Sequence, residues 1–266
     1  MQQAIDFKAD CDALYDLLSP LGEDDFAQET GFKGWTFNMI MRHLYVWNGA
    51  AALSLSGNEE AFQGFFAKVA ASFKTGSLPD FEREYLGGLS GHKLLENWRN
   101  DYPKIADAFA QVDPKMRVPW AGPSMSTRSS ITARQMETWA HAQAIYDALG
   151  VERKNVDGIK NIAVLGVNTF GWTFKNRKED VPNAMPYLSL EAPSGAQWHF
   201  GDESEDERIS GKAEEFCQVV TQVRNIADTQ LDVRGDVAKR WMSIAQCFAG
   251  APNDPPPKGA RCIAQS

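Results

Sequence analysis

The chain has 266 residues, of which 43 % are hydrophobic and 23 % charged, and its formal net charge is −8. These proportions are typical of a globular protein with a packed core, and the length allows one large domain or two of moderate size. The acidic excess, with no run of Lys and Arg, excludes a basic surface for nucleic acid or for an anionic membrane. No apolar run approaches the roughly eighteen residues of a membrane span, and the N-terminus does not resemble a signal peptide, so we expect a cytoplasmic protein.

The first part of the chain is predicted to be helical, because apolar residues recur with helical spacing between short loops. Pro103 should kink or split one of these helices, and Val118–Ser130 is predicted to be a loop. Long helices with short joins favour an antiparallel four-helix bundle over residues 1–152. The predicted helices are Phe7–Leu18, a second from a Thr36 cap to about Leu55, Glu59–Phe73, a fourth from Leu89 or Ser90 to Phe109, and one that carries Glu137 and His141 and ends at Gly150.

After Gly150 the pattern changes to a mixture of helices and strands. The acidic run Asp202–Arg208 is expected to be a solvated loop. The chain is therefore predicted to be mainly α, with a smaller C-terminal α+β domain over residues 153–250 and a disordered tail over 251–266. The predicted elements are helices over Val156–Lys175, Gly211–Asn225 and Asp236–Phe248, a hairpin of strands Tyr187–Glu191 and Gln197–Phe200, and a strand or turn at Leu231–Gly235.

Three residues of the predicted bundle have the chemistry of a metal site. Glu137 and His141 stand four residues apart, so they point from one face of their helix. His43, from an earlier helix, supplies a third candidate ligand. Two imidazoles and one carboxylate can hold a divalent metal and leave a coordination position open. The alternative is an ordinary helical protein in which these are buried polar residues.

The remaining polar candidates are weaker. His92 follows a glycine at a helix start and is expected to be exposed, and His199 is expected to form a surface aromatic pair with the adjacent Trp198 in the hairpin. Arg42 and Arg134 adjoin the candidate ligands, either as ion-pair partners on the helix surface or as groups that orient an anionic substrate. The sequence contains no serine-hydrolase, dinucleotide or P-loop fingerprint.

The same residues carry a resemblance to a known family. The segments GWTFNMIMRHLYVW and TARQMETWAHAQAIYDALG together resemble the DinB-like superfamily of four-helix-bundle metal proteins, and within it the mycothiol-dependent maleylpyruvate isomerase-like branch. Trp35…His43 and Glu137…His141 stand where that family binds zinc or a similar ion. Further segments similar to an uncharacterised metal-binding subfamily extend the resemblance over nearly the whole chain; they are Val118–Pro123, Leu188–Asp202, Phe216–Asp228 and Ala245–Pro252.

The resemblance implies a bundle followed by an α+β domain of sterol-carrier-like shape. It also implies a metal, expected to be zinc, that activates a low-molecular-weight thiol such as mycothiol, bacillithiol or glutathione for isomerisation or S-transfer. The family isomerase uses an arginine of its C-terminal domain for a dicarboxylate substrate. Among Arg224, Arg234 and Arg240 of this chain, Arg224 and Arg240 are the candidates for that catalytic role.

Three hypotheses follow for the function. The first is a metal-dependent enzyme, a monomer or homodimer, that acts on a small anionic substrate bound between the bundle and the C-terminal domain. The second is a binding protein without activity, in which the metal is structural and the second domain holds an apolar ligand. The third is an interaction bundle without metal. Four tryptophans are candidates either for the apolar walls of a site or for core packing: Trp35, Trp47, Trp120 and Trp139.

Overall fold

The computed structural model describes residues 1–74 and 76–264. The chain forms two compact units, Met1–Ala148 and a second unit that begins at Leu149. The first unit is helical and the second is smaller and combines helices with a sheet, which confirms the predicted fold class. No helix within the described residues is both long enough and apolar enough to span a bilayer.

The first unit is built around four long helices. Helices α1, α6, α2 and α5 pack in a ring, so that each contacts the next and α5 returns to α1. A short helix, α4, lies against α2 and α3 outside this ring, and a two-stranded hairpin joins α5 to α6. The elements of this unit are α1 (Gln2–Leu18), α2 (Phe37–Leu55), α3 (Glu59–Ser72), α4 (Leu78–Tyr85), α5 (Gly91–Ala110), β1 (Arg117–Trp120), β2 (Gly122–Ser126) and α6 (Thr127–Ala148).

The apolar faces of the four long helices meet in one core. Phe7 and Leu14 of α1, Trp98 of α5 and Trp139 of α6 are all fully buried. The predicted cap of α2 is confirmed, because the Thr36 hydroxyl accepts a hydrogen bond from the Met39 backbone N–H at 3.3 Å. Burial of the apolar faces supplies most of the helix stability in such a bundle.

The first unit departs from the sequence-based expectation at three places: one proline, one missed helix and one predicted loop. Pro103 does not split α5, since the helix keeps its buried face on both sides of the missing backbone donor. Helix α4 was not predicted: it has only eight residues, too few for a helical period to stand out, although Ser77 and Asp80 form a capping box at its start. The predicted loop at Val118–Ser130 contains the β1–β2 hairpin and the start of α6; in the hairpin Val118 pairs with Met125.

The second unit contains a four-stranded sheet in the order β4-β3-β5-β6. Strands β3 and β4 form the predicted antiparallel hairpin, whereas β3 and β5 pair in parallel and β6 is antiparallel to β5. The aromatic core of this unit places Trp241 edge-on against Phe170 and Phe216. The elements are α7 (Lys160–Asn168), α8 (Phe170–Asn176), β3 (Tyr187–Glu191), β4 (Gln197–Phe200), β5 (Arg208–Lys212), α9 (Ala213–Val220), β6 (Asp232–Arg234) and α10 (Asp236–Ile244).

The helices of the second unit are shorter than predicted. The helix expected over residues 156–175 is divided at Thr169, whose hydroxyl bonds to the Leu165 carbonyl at 2.8 Å. Strand β5 starts at Arg208, the last residue of the acidic run. The helix predicted over residues 211–225 is confined to α9, because Gln222 takes a left-handed backbone conformation with φ of 57° that ends the helix.

The segment after Gly250 differs from the predicted disordered tail. Arg261 donates a hydrogen bond from Nη1 to the Gln222 carbonyl at 2.7 Å, and the Gly259 N–H donates to Asp228 Oδ2 at 2.9 Å. Gln222 is 2 % exposed and its side-chain amide donates to the Asn253 carbonyl at 2.7 Å. The polar, proline-rich composition predicts disorder by itself, but these contacts with the second unit hold the segment. Residues 265 and 266 of the predicted tail lie outside the described residues.

Replacement of Gln222 by Ala should loosen this segment. In the wild type the Gln222 amide donates a hydrogen bond to the Ala245 carbonyl at 3.0 Å, and the change removes this donor. We expect a loss of about 1–3 kcal/mol in the free energy of unfolding. Urea denaturation measures the loss, and limited proteolysis should cut the variant after Gly250 faster than the wild type. Gln63→Ala, at an exposed position of α3, is the matched control. Equal proteolysis of the wild type and the Gln222 variant would contradict the proposed anchoring.

Candidate metal centre

The three predicted ligands converge at the contact between α2 and α6. Glu137 Oε2 lies 3.5 Å from His43 Nε2 and 3.2 Å from His141 Nε2. One ligand atom from each residue lies within 4.8 Å of the other two. Adjacent helices of the bundle thus bring together residues that are about ninety positions apart in the sequence.

The spacing of these atoms fits a divalent cation. A tetrahedral ion with bonds of about 2.0–2.1 Å separates neighbouring ligand atoms by about 3.3 Å. Both distances from Glu137 Oε2, to His43 and to His141, are close to this value. Two imidazoles and one carboxylate are a donor set suited to zinc and related ions, and such a three-residue set keeps one position for water or substrate.

A fourth residue, Glu82 of α4, completes the polar cluster. Its carboxylate is fully buried, and Glu82 Oε1 lies 2.8 Å from His43 Nδ1. The same oxygen accepts a hydrogen bond from Trp47 Nε1 at 2.8 Å. Sequence reasoning missed Glu82 because it missed α4. The available signal was the capping box that precedes this residue.

The two arginines next to the candidate ligands differ in their contacts. Arg134 is 5 % exposed, and its Nη2 lies 3.7 Å from Glu137 Oε1, the carboxylate oxygen that does not face the histidines. Its guanidinium also lies 6.0 Å from the centroid of the Trp120 ring. Arg42 donates a hydrogen bond from Nε to the Leu89 carbonyl at 2.7 Å. Arg134 is therefore an ion-pair partner of Glu137, which was one of the two predicted roles. The ion pair is buried and does not lie on the helix surface as expected.

Aromatic rings surround the two histidines. Trp35 stacks on His141 with ring centroids 5.7 Å apart and an interplanar angle of 1°, and Phe32 meets the same imidazole edge-on at 4.8 Å. Trp47 lies 6.1 Å from His43. Of the four candidate wall tryptophans, Trp139 is fully buried in the bundle core. The rings around the cluster lower the local polarity and limit its access to water.

Trp35 and Phe32 reach the histidines from a tight loop between α1 and α2. The Thr30 N–H donates to the Trp35 carbonyl at 2.9 Å and the Trp35 N–H donates to the Phe32 carbonyl at 2.9 Å. Gly34 takes a positive φ of 69°, which is accessible to glycine without strain. The loop therefore presents both aromatic side chains on the same side, toward the candidate ligands.

The protein shifts the pKa of each candidate ligand. Burial alone lowers the pKa of His43, but hydrogen bonds with Glu137 and Glu82 outweigh burial and raise this pKa to about 9. Burial would raise the pKa of Glu137, but hydrogen bonds from His141 and His43 hold it well below its usual range. Burial lowers the pKa of His141. When both imidazoles are neutral, as metal ligation requires, two carboxylates and one guanidinium leave a net negative charge, so the cluster favours a cation in exchange for the proton on His43.

The other two histidines have local partners. His92 Nε2 lies 2.8 Å from the Leu21 carbonyl, so the side chain is half-buried at the start of α5 where an exposed one was expected. His199 stacks on Tyr187 in the second unit, with 2.8 Å between His199 Nδ1 and the Tyr187 hydroxyl. His199 thus forms a surface aromatic pair, but with Tyr187 of the neighbouring strand; Trp198, the expected partner, is buried.

The predicted catalytic arginines both lie in the second unit. Arg224 is 8 % exposed and donates from Nη1 to the Val223 carbonyl at 3.2 Å. Arg240 of α10 forms a two-point ion pair with Glu179, with 3.0 Å between Arg240 Nε and Glu179 Oε2. The contact of either arginine with a substrate stays a prediction.

Comparison with known proteins shows the family. Residues 7–146 match the family described as "Mycothiol maleylpyruvate isomerase N-terminal domain", and the chain belongs to that family. This confirms the resemblance to the maleylpyruvate isomerase-like branch of the DinB-like proteins. The matched range contains the three candidate ligands and Glu82.

Two proteins of Mycobacterium tuberculosis are similar over almost the whole chain. They come from strains CDC 1551 / Oshkosh and ATCC 25618 / H37Rv, and both are described as uncharacterised. Each is 36 % identical over 248 residues, which are 93 % of this chain and 95 % of the relative.

Two solved structures share the fold. They are crystal structures of the mycothiol-dependent maleylpyruvate isomerase and of a histidine-to-alanine mutant of that enzyme. Each matches with a TM-score of 0.51 and 14 % sequence identity, over 82 % of this chain and 87 % of the other.

The stability of chelator-treated protein should fall as the pH rises from 6.5 to 9. An unfolded His43 loses its proton near pH 6.5, whereas the folded protein keeps it up to about pH 9. The folded state therefore binds more protons in this window, and we expect the free energy of unfolding to drop by roughly 2–3 kcal/mol across it. His141, with its lowered pKa, is neutral in the folded state there and partly protonated in the unfolded state only near pH 6.5, so its contribution is small and of opposite sign.

Denaturant titrations at several pH values in the presence of a chelator measure this dependence. In the His43→Gln variant the drop should vanish, while His199→Ala should retain it. If the His43 variant showed a drop of the same size, the pH dependence of the unfolding free energy would arise from another group.

Proposed function

We propose that the protein is a metal-dependent enzyme that uses a low-molecular-weight thiol for isomerisation of, or S-transfer to, a small anionic substrate. The observation that carries this proposal is the convergence of His43, Glu137 and His141, with Glu137 Oε2 at 3.5 Å and 3.2 Å from the two imidazole Nε2 atoms. Family membership supports the thiol, because the family takes its name from a mycothiol-dependent isomerase domain. Zinc is the proposed ion, since imidazole and carboxylate ligands suit it.

The proposed chemistry needs a thiolate at neutral pH. A bound divalent cation supplies a Lewis acid that lowers the pKa of a thiol in contact with it. Among the three proposed ligands Glu137 is the one that carries negative charge, so the loaded centre keeps positive charge that favours an anionic sulfur. Arg134 holds the outer oxygen of Glu137 and leaves Oε2 to the ligand cluster. The rings of Phe32 and Trp35 pack against His141 and limit the access of water there.

We propose that an arginine of the second unit binds the anionic group of the substrate, and the two candidates are Arg240 and Arg224. Arg240 is half-exposed and its partner Glu179 holds the guanidinium in a fixed orientation. Arg224 is buried, and we regard it as the alternative. An arginine that binds a carboxylate should, when replaced by Gln, raise KM more than it lowers kcat. Comparison of Arg240→Gln with Arg224→Gln in the same assay assigns the role.

Removal of one ligand should remove the metal. Protein purified after growth with zinc should contain one equivalent of metal, and His141→Ala should retain less than about a tenth of it, because two ligands do not hold the ion against a chelator. Elemental analysis after dialysis measures the content, and His199→Ala is the control. Full metal content in the His141 variant would contradict the proposed ligand set.

Thiol binding can be tested without knowledge of the substrate. Cobalt-substituted protein should develop a thiolate-to-metal charge-transfer absorption when mycothiol, bacillithiol or glutathione is added, because a thiolate sulfur becomes a ligand of the ion. His141→Ala should give no such band. Absence of the band with all three thiols, together with a metal whose removal only lowers Tm, would favour a structural metal in a binding protein.

Turnover assays separate the two reaction classes. We propose maleylpyruvate with each thiol as the first substrate pair, because a family relative acts on it. In an isomerisation the thiol is released again, so its concentration stays constant while product accumulates. In an S-transfer one thiol is consumed per product. Measurement of free thiol during turnover therefore distinguishes them.

A further inference from the structure

We propose that Glu82 is a positioning residue for the metal centre: its carboxylate fixes His43 in the tautomer that carries the proton on Nδ1 and turns Nε2 toward the cation. The inference rests on the proposed metal site and adds a residue on a different helix. Carboxylates that accept the second N–H of a metal-bound histidine orient the ring and increase its basicity.

The orientation of the imidazole carries this inference. His43 Nδ1 lies 2.8 Å from Glu82 Oε1, whereas His43 Nε2 faces Glu137 Oε2 at 3.5 Å. Nδ1 thus contacts a residue of α4, and Nε2 faces a residue of α6. An ionised carboxylate can only accept hydrogen bonds, so Nδ1 must donate to Glu82. In a neutral ring the lone pair is then on Nε2, directed at the ligand cluster.

Trp47 identifies the Glu82 oxygen as an acceptor. The indole Nε1 can only donate, and it donates to Glu82 Oε1 at 2.8 Å. Trp47 lies one turn after His43 on α2, so the same helix supplies both donors to one oxygen. These two contacts hold the carboxylate in position beside Nδ1.

The burial of Glu82 indicates that it serves more than helix packing. Its Oε2 is buried and has no hydrogen-bond partner within the described residues. A buried carboxylate with an unsatisfied oxygen is costly unless positive charge lies nearby. In the metal-free protein the Arg42 guanidinium and a protonated His43 supply part of that charge. A cation on the far side of a neutral His43 would supply it through the imidazole. An apolar side chain at this position would be sufficient to pack α4 on α2.

The tautomer of His43 in the zinc-loaded wild type is the first test. Two-dimensional NMR of 15N-labelled histidine distinguishes a protonated Nδ1 from a protonated Nε2. We expect His43 to be protonated on Nδ1, with Nε2 bound to the metal. A ring protonated on Nε2 would overturn the inference, and this test does not depend on the folding of a variant.

The second test compares Glu82→Gln with Glu84→Gln. Glu84 is an exposed acid on the same helix, so its variant controls for the loss of one negative charge from α4. We expect Glu82→Gln to weaken zinc affinity 10–100-fold and to shift the absorption spectrum of bound cobalt. Glu84→Gln should change neither. Glu82→Asp, which keeps the charge, should recover part of the affinity.

The outcomes separate this inference from the proposed function. A wild type that binds no metal would overturn both. A wild type that binds zinc, with a Glu82→Gln affinity within twofold of it, would overturn the role of Glu82 alone. A lower Tm of chelator-treated Glu82→Gln with an unchanged zinc affinity would do the same, since that result assigns Glu82 to helix packing.

Discussion

Two carboxylates on either side of a buried histidine set the main constraint on this protein. Glu82 and Glu137 flank His43 from opposite sides, and Arg134 holds the outer oxygen of Glu137. In surroundings of low polarity such charges need close counter-charges and well-placed hydrogen bonds. In the absence of a metal the structure meets this need by keeping a proton on His43. A divalent cation bound by the same atoms would meet it more fully.

The arrangement of the helices brings this cluster together. The neighbouring helices α2 and α6 supply His43 and the Glu137–His141 pair, and the ring of four long helices keeps these two in contact. Helix α4 packs on α2 from outside the ring and carries Glu82 to the far side of the imidazole. Membership of the maleylpyruvate isomerase-like family gives this site its proposed chemistry, whereas the fold alone is compatible with many reactions.

The second unit is organised by its sheet. Leu188 and Leu190 of the central strand β3 are fully buried. The predicted β3–β4 hairpin depends on adjacent residues and a short turn, so local sequence was sufficient to identify it. The parallel pairing of β3 with β5 joins segments about twenty residues apart, and no local pattern encodes that contact. The segment after Gly250 is similar: its composition is that of a disordered chain, yet Gln222 and Asp228 bind it.

By itself the sequence determined the helical first unit, the Thr36 cap and the grouping of His43 with Glu137 and His141. Helical periodicity and the four-residue spacing of a helix face are local, and the resemblance to a known family related the two distant segments. Only the tertiary structure decided that Glu82 faces His43 and that Arg134 is buried against Glu137. The physical reason is that α4 is too short for its pattern to stand out. A buried charge, moreover, is recognised by its neighbours in space, which single-sequence reasoning does not reveal.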